Sequence, residues 1–342
     1  MSDVIDKVPY LDLTKEFSEL EKEWFELVRA TGAQGSFILG PNVKAFEQEV
    51  ADYIGSKYAV SVANGTDALM LSLRGLGIGP GDEVITTPYT FFATSESINM
   101  VGATPVFADI LPGSFVIDPQ SIRQKITKKT KAIMPVHLFG YPANMEELKI
   151  IADENNLKII EDCAQAFGAQ NGDTHGEFRV GSQGDTGCFS FYPTKVLGCY
   201  GDGGIITTSN KELADHLHKL RNHGAVKPFV HDEIGTNSRL DEVQAALLRI
   251  KLKRINQAIK NRGQVAANYS EQLKDVLTAV PAEPDNGIHA YNLYTVRAKN
   301  RDALRQHLTD NNVGTSLCYP QPLHLQPVYA GLGYQAGDLP VA

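Results

Sequence analysis

Short apolar runs of four or five residues, alternating with helix-like stretches, set the narrowest limit on what this chain can form. The runs are Tyr58–Val62, Glu83–Thr87, Pro105–Asp109, Ala132–Val136, Lys158–Asp162, Cys188–Phe191 and Gly204–Thr208. Their β-branched content and their order predict a largely parallel sheet covered by helices on both faces, a three-layer α/β domain. Helices are expected over Lys15–Ala30, through Asp67–Leu71, and from Leu240 to about Lys260, where Leu240, Val243, Leu247 and Ile250 share one face. Pro281–Gly287 then punctuates the chain, after which Tyr291–Arg297 reads as a strand and Arg301–Asn311 as a helix. At 342 residues the chain exceeds one ordinary domain of ~100–200 residues. The expected division is an N-terminal helical segment over residues 1–34 packing on the rest, a large domain over 35–255, and a smaller α+β C-terminal domain over 256–342.

In open α/β sheets ligands collect at the carboxyl ends of strands, and three such ends carry complementary chemistry. Residues 187–204, GCFSFYPTKVLGCYGDGG, set Lys195 in a glycine-rich loop directly after a strand, where its amine can form a Schiff base with a carbonyl. Taken alone, Lys195 is equally a solvated surface lysine. The turn Asn64-Gly65-Thr66 opens a helix, so its backbone N–H groups and the Thr66 hydroxyl can hold a phosphate at the positive end of the helix dipole. An ordinary Thr N-cap explains the same residues and is the simpler reading of that turn by itself. The strand Lys158–Asp162 ends in a carboxylate that either pairs with a cationic ring nitrogen or caps the next helix, and Ser190 offers one more hydroxyl to a phosphate. A phosphate cradle, an acid for a pyridinium nitrogen and a Schiff-base lysine are together what pyridoxal phosphate needs.

Composition removes other classes. Lysine and arginine number 32 against 40 acidic residues, a net charge of −8 with no long basic run, so neither nucleic acid nor an anionic membrane is expected as a partner. Cys163, Cys188, Cys199 and Cys318 form no C-x-x-C pair, and the nine histidines show no metal-ligand spacing, so no metal site is expected and the thiols suit a cytoplasmic protein. Met1-Ser2-Asp3 does not begin a secretion signal, and no run approaches ~18 apolar residues.

Separated motifs then converge on one family. Gly35–Gly40 (GSFILG), Ala63–Leu69 (ANGTDAL), Pro88–Phe91 (PYTF), Glu161–Ala166 (EDCAQA), Ser190–Lys195 (SFYPTK) and Gly235–Asp241 (GTNSRLD) followed by Gln244-Ala245-Ala246 lie within a match from about Tyr10 to Pro327. The chain resembles the DegT/StrS family of pyridoxal-phosphate-dependent nucleotide-sugar aminotransferases, with the aspartate-aminotransferase (type I) fold. The resemblance implies that Lys195 holds the cofactor and that Asp162 partners its ring nitrogen. Gly65, Thr66 and Ser190 match its phosphate contacts, Gln165 the contact to its ring hydroxyl, and Phe91 the aromatic stacked on its ring. Phe91 is alternatively a core residue, with Phe92 facing the cofactor. Asn237 matches a residue that the neighbouring subunit offers to the phosphate, which implies a homodimer with shared sites. Arg239 resembles a substrate-side arginine and Tyr319 a residue of the substrate pocket, although an arginine in such a loop is often only a surface charge.

By the same resemblance the amino donor is glutamate, leaving as 2-oxoglutarate, and the acceptor is a nucleotide-linked keto sugar. The Thr236–Arg239, Gly198–Asp202 and Tyr319–Leu323 segments look most like members acting on 3-keto sugars, including a UDP-linked 3-keto N-acetylglucosaminuronate whose carboxylate would meet Arg239. The runner-up acceptor is a 4-keto-6-deoxy sugar on UDP or dTDP. Sugar dehydratases of the family commonly lack the lysine, so Lys195 argues against that chemistry, and a non-catalytic regulator would need a partner surface or a basic helix. Family members continue through a last strand and helix where this chain stops at Ala342, so the small domain is expected to be truncated or unusual.

Overall fold

The computed structural model describes residues 7–173 and 176–342. The chain begins with helices α1 (Thr14–Gln34) and α2 (Pro41–Ile54), then runs through β1 (Tyr58–Val62), α3 (Gly65–Gly75), β2 (Glu83–Thr86), α4 (Ala93–Met100) and β3 (Thr104–Phe107). It continues through α5 (Pro119–Lys125), β4 (Thr130–Met134), α6 (Met145–Asn155), β5 (Lys158–Asp162), β6 (Gln170–Asp173) and β7 (Gly176–Arg179). After β8 (Thr186–Ser190) and β9 (Gly204–Thr208) come α7 (Lys211–Leu220), the short strands β10 (Ala225–Lys227) and β11 (Val230–His231), α8 (Glu242–Leu252) and α9 (Ile255–Leu273). The last elements are β12 (Gly287–Ile288) and α10 (Arg301–Asp310), followed by two 3₁₀ turns.

Seven strands form one sheet in the order β1-β9-β8-β5-β4-β2-β3. Only β9 runs against its neighbours, pairing antiparallel with both β1 and β8, while β8, β5, β4, β2 and β3 pair in parallel. The strand ends at Val62, Thr86, Met134, Asp162 and Ser190 therefore open on the same edge of the sheet. Both faces are covered, so the strands are apolar throughout rather than alternating. Consecutive residues go to opposite sides. Phe189 and Ile205 join a cluster with Val43 and Phe46 of α2 and Leu247 of α8, whereas Cys188 and Ile206 join Leu69 and Leu73 of α3 and Leu217 of α7. The N-terminal helix lays Leu20, Trp24 and Leu27 on the first of these clusters, and Lys251 of α8 reaches Glu16 of α1 at 2.7 Å.

Two expected elements differ in the structure. The helix foreseen from Leu240 to about Lys260 is two helices, with Leu240 before the first and a break at Lys253-Arg254. α8 is buried at Ala245, Ala246, Leu247, Leu248 and Ile250, on more than one face, and the break redirects the chain so that Ile255 and Ile259 of α9 stay on the same core. The strand foreseen over Tyr291–Arg297 is absent apart from a bridge between Ala279 and Arg297. Its first amides are spent elsewhere: Tyr291 N–H donates to His289 Nδ1, and Asn292 and Leu293 N–H both donate to the Phe139 carbonyl, while Tyr291 sits at φ 47° with its ring stacked on His289. A three-stranded sheet, β12-β6-β7, was not foreseen. Beyond it, Leu323, Tyr329 and Leu339 pack around Phe107 at the edge of the main sheet, and the Tyr329 hydroxyl donates to Ser95 Oγ at 2.8 Å.

One carboxylate ties the strand ends together. Glu161 on β5 is fully buried and accepts N–H bonds from Gly181 (2.7 Å), Gln183 (2.9 Å) and Gly184 (2.6 Å), all in the connection into β8. Its Oε2 also lies 3.0 Å from Nε2 of His137, whose Nδ1 accepts from Ala143 N–H, so Nε2 carries the proton and donates. Burial alone would push the Glu161 carboxyl up, but the His137 contact and the Gly181 and Gly184 N–H groups outweigh it and hold the carboxyl below its ordinary value. Replacing Glu161 with Gln is expected to cost about 3 kcal/mol in a denaturant titration, because two acceptor oxygens become one and a donor faces backbone N–H groups. A carboxyl held low in the folded state contributes stability above its unfolded value of about 4.3 and loses it as pH falls through the folded value. The gap between the two proteins should thus be constant above about pH 5 and close on further acidification; a gap of the same size at pH 3 contradicts this account.

Candidate active site

At one end of the site, the chain leaves β1 and enters α3 after only two residues. Asn64, not Thr66, is the cap: its Oδ1 accepts from Asp67 N–H at 2.8 Å, and its carbonyl accepts from Ala68 N–H. Gly65 and Thr66 are the first residues of the helix, where N–H groups have no partner within the helix. Asp67 in turn accepts from Ser238 Oγ at 2.6 Å, and Ser238 Oγ accepts from Ala63 N–H at 3.0 Å, so this turn is clamped from behind. Ser190 at the end of β8 comes so close that a Cβ on Gly65 would stand 2.6 Å from its own Cβ. Between these two strand ends lies the start of β9, where a Cβ on Gly204 would strike the Asn64 carbonyl. Two glycines therefore let the two strand ends close into one concave, N–H-lined cradle.

These ends open into a cavity of about 480 Å³. Of the residues singled out from sequence, Gly65, Thr66, Phe91, Asp162, Gln165, Ser190, Lys195 and Tyr319 line it, and Asn237 and Arg239 do not. Phe91, 60% exposed, faces the cavity, whereas Phe92 packs against Tyr329 in a separate cluster. Asn237 is exposed, and Arg239 Nη1 donates to Asn222 Oδ1 at 3.1 Å on its own chain.

Asp162 is buried, and both of its oxygens are engaged. Oδ1 accepts from Ala164 N–H at 3.1 Å and Oδ2 from Thr94 Oγ1 at 2.8 Å. Burial pushes its carboxyl up from the ordinary value, opposed by Thr94, Ala164, Lys195 and His137. Lys195 sits on the turn that follows β8, and no hydrogen bond or ion pair among the described residues engages its Nζ. Burial draws its amine down, with Asp162 opposing, so the site favours an uncharged, nucleophilic amine more than water does. Gln165 is oriented from both ends: Oε1 accepts from Phe139 N–H at 2.8 Å, and Nε2 donates to the Tyr319 hydroxyl at 2.8 Å. Its amide therefore turns a donor toward the cavity. Tyr319 stands at φ 52° with its ring parallel to that of Phe139, and burial pushes its phenol up, so it is a neutral hydroxyl.

Thr90, Thr94 and Asp202 also line the cavity and were not read as site residues from the sequence. The pattern Thr90-x-x-x-Thr94 beside the Pro88–Phe91 motif is the one signal that points to the first two; Thr94 lies in the first turn of α4 and Thr90 in the bend that leads into it.

The sequence matches the DegT/DnrJ/EryC1/StrS aminotransferase family over residues 18–342. The chain belongs to that family. It is a pyridoxal-phosphate-dependent aminotransferase, and the close approach at Gly65, the buried acid and the uncommitted amine fit that cofactor. Its fold is that of DesV from S. venezuelae, solved in complex with a ketimine intermediate, at a TM-score of 0.93 and 42% identity over 98% of this chain and 90% of that one. A "pleiotropic regulatory protein" of Geobacillus stearothermophilus is 44% identical over 98% of this chain and 90% of its own. A dTDP-3-amino-3,4,6-trideoxy-alpha-D-glucose transaminase of Streptomyces venezuelae is 42% identical over 98% and 88%. Among the described residues no helix is long and apolar enough to cross a membrane.

The cradle gives a direct test in the aminotransferase. In Gly65→Ala the added Cβ, 2.6 Å from Ser190 Cβ, forces the two strand ends apart. Cofactor retention on dialysis should fall at least about tenfold, the loss of one or two phosphate hydrogen bonds, with an unchanged far-ultraviolet spectrum. Full retention would show that the phosphate is held elsewhere.

Proposed function

We propose that this aminotransferase moves the amino group of glutamate to the 3-position of a keto hexose carried on a nucleoside diphosphate, as a homodimer whose two sites share residues. The observation that carries the reading is an uncommitted amine, Lys195, in one cavity with a buried acid and a helix N-terminus. The 3-position is favoured by the Streptomyces transaminase, whose name specifies a 3-amino sugar and which covers nearly the whole chain.

Pyridoxal phosphate, when bound, supplies a carbonyl for the amines to condense with and a ring that withdraws electrons from the reacting carbon. The protein's residues do the rest. Lys195 would hold the cofactor, and its amine, when free, would move a proton at the donor's α-carbon. Asp162 holds a proton on the ring nitrogen, which keeps the ring an electron sink. Gly65, Thr66 and Ser190 bind the phosphate, Gln165 donates to the ring hydroxyl, and Phe91 covers a ring face. Tyr319, accepting from Gln165, keeps its own proton to donate to a substrate oxygen.

Exposed apolar side chains support the dimer. Phe229 at the tip between β10 and β11 is 97% exposed and Ile234 84%, just before exposed Asn237, while Tyr192 and Phe91 are exposed at the cavity mouth. A second copy of the chain would cover such surface and bring Asn237 to a phosphate and Arg239 to a sugar in the opposite site.

Purified protein supplied with glutamate and a panel of nucleotide-linked 3-keto and 4-keto sugars should release 2-oxoglutarate with the 3-keto members. Turnover confined to 4-keto sugars would overturn the position, and no turnover by cofactor-loaded protein would favour a regulatory role. Lys195→Ala should abolish turnover while keeping the fold and non-covalent cofactor binding. A purified heterodimer of Lys195→Ala with Asn237→Ala should recover about half the wild-type activity, because trans sharing leaves one site intact and one doubly defective. Failure to recover places Asn237 in its own subunit's site, and an active Asn237→Ala homodimer places it outside both.

A further inference from the structure

The segment that carries Phe91 to the cavity also carries two buried hydroxyls. Thr90 Oγ1 and Thr94 Oγ1 lie 3.0 Å apart, and Thr94 Oγ1 lies 2.8 Å from Asp162 Oδ2. Thr90 is 2% exposed, Thr94 1% and Asp162 4%, so no bulk water competes along this row. A hydroxyl has one proton to give. An ionised carboxylate only accepts, so the Thr94 proton is committed to Asp162, and Thr94 must then accept from Thr90. The row runs one way, Thr90 to Thr94 to Asp162, as long as Asp162 is an anion; a protonated Asp162 would reverse it.

We propose that Thr94, oriented by Thr90, is a positioning residue for the ring-nitrogen partner: it fixes the Asp162 carboxylate and leaves its remaining lone pairs for the cofactor's ring N–H. This rests on the reading of Asp162 given above. Ala164 N–H takes one site on Oδ1 and Thr94 one on Oδ2, so the carboxylate plane is set before any cofactor arrives. The ionisable groups facing Asp162 are Lys195, His137, Tyr319, Cys163 and Cys188. None of them hydrogen-bonds the carboxylate among the described contacts, and among side chains only Thr94 does so. Removing that donor favours the neutral acid, because burial already pushes the carboxyl up. A neutral Asp162 does not hold the ring nitrogen protonated.

The test uses the holoenzyme with Thr94→Val, which keeps shape and loses the hydroxyl, Thr94→Ser, which restores it, and Thr90→Val. Two readouts apply: the pH midpoint of the bound cofactor's visible band, and kcat with the KM for glutamate. With less positive charge on the ring, a proton elsewhere on the bound cofactor is held more tightly, so the midpoint in Thr94→Val should move up by about one pH unit. Its kcat should fall about tenfold with KM nearly unchanged, the pattern of an interaction that acts in the transition state. Thr94→Ser should return both toward wild type, and Thr90→Val should shift both in the same direction by less. A Thr94→Val enzyme with wild-type midpoint and kcat overturns the proposal, as does a Thr94→Ser enzyme that behaves like Thr94→Val, since restoring the hydroxyl then restores nothing. Asp162→Asn separates the two levels. If it too leaves the midpoint in place, the reading of Asp162 fails; if it moves the midpoint while Thr94→Val does not, only the role of Thr94 falls.

Discussion

The site depends on a carboxylate that takes no part in its chemistry. Glu161 gathers the loop into β8 through three backbone N–H groups and the segment after β4 through His137, so the end of β5, the start of β8 and the exit from β4 share one anion. A buried carboxylate is costly unless its lone pairs are filled, and here the filling groups come from separate segments. Those segments are thereby held in one relative position. Asp162 is the next residue, its N–H bonded to the Pro135 carbonyl and its own carbonyl accepting from His137 N–H. The orientation of the acid in the cavity is inherited from the anion behind it.

The cavity keeps an acid and an amine in the same poorly hydrated space. Burial shifts both toward their uncharged forms, Asp162 upward and Lys195 downward, while each partly restores the charge of the other. On the proposed reading, that balance suits a lysine that acts as nucleophile and proton carrier. For an acid proposed to act as an anion the upward push is a hazard, and the hydrogen bonds from Thr94 and Ala164 oppose it. Behind Gln165 lies the loop at Phe139, which sits at φ 59° and orients Gln165 through its N–H. The segment read as a strand over Tyr291–Arg297 gives its Asn292 and Leu293 amides to the Phe139 carbonyl of that same loop. An apolar, aromatic sequence that looks like a strand is here a brace for the site.

Much of the sheet was legible because its strands are buried on both faces and so are continuous apolar runs; Tyr58–Val62, Lys158–Asp162 and Gly204–Thr208 fall where the runs begin and end. The helix break at Lys253-Arg254 was not legible, since the apolar spacing continues through it and only packing against α1 and α2 decides where the chain turns. The cap at α3 was misread for a related reason. Asn64 and Thr66 are both good capping residues two positions apart, and the choice is made by where β1 delivers the backbone.

The sequence by itself pointed to the cofactor, because a lysine after a strand, an acid at a strand end and a glycine-containing helix start, each ambiguous alone, together match what pyridoxal phosphate needs. It also determined the family, through motifs that each lie within a few consecutive residues. Only the tertiary structure decided which side chains share the cavity, that Phe91 and not Phe92 faces it, and that Thr94 touches Asp162 across 68 positions of chain. It also left Asn237 and Arg239 outside the cavity of their own chain. The physical reason is that residue type and spacing fix what a group can do within its own turn or strand. Hydrogen-bond direction, burial and close approach are set by segments far apart in sequence.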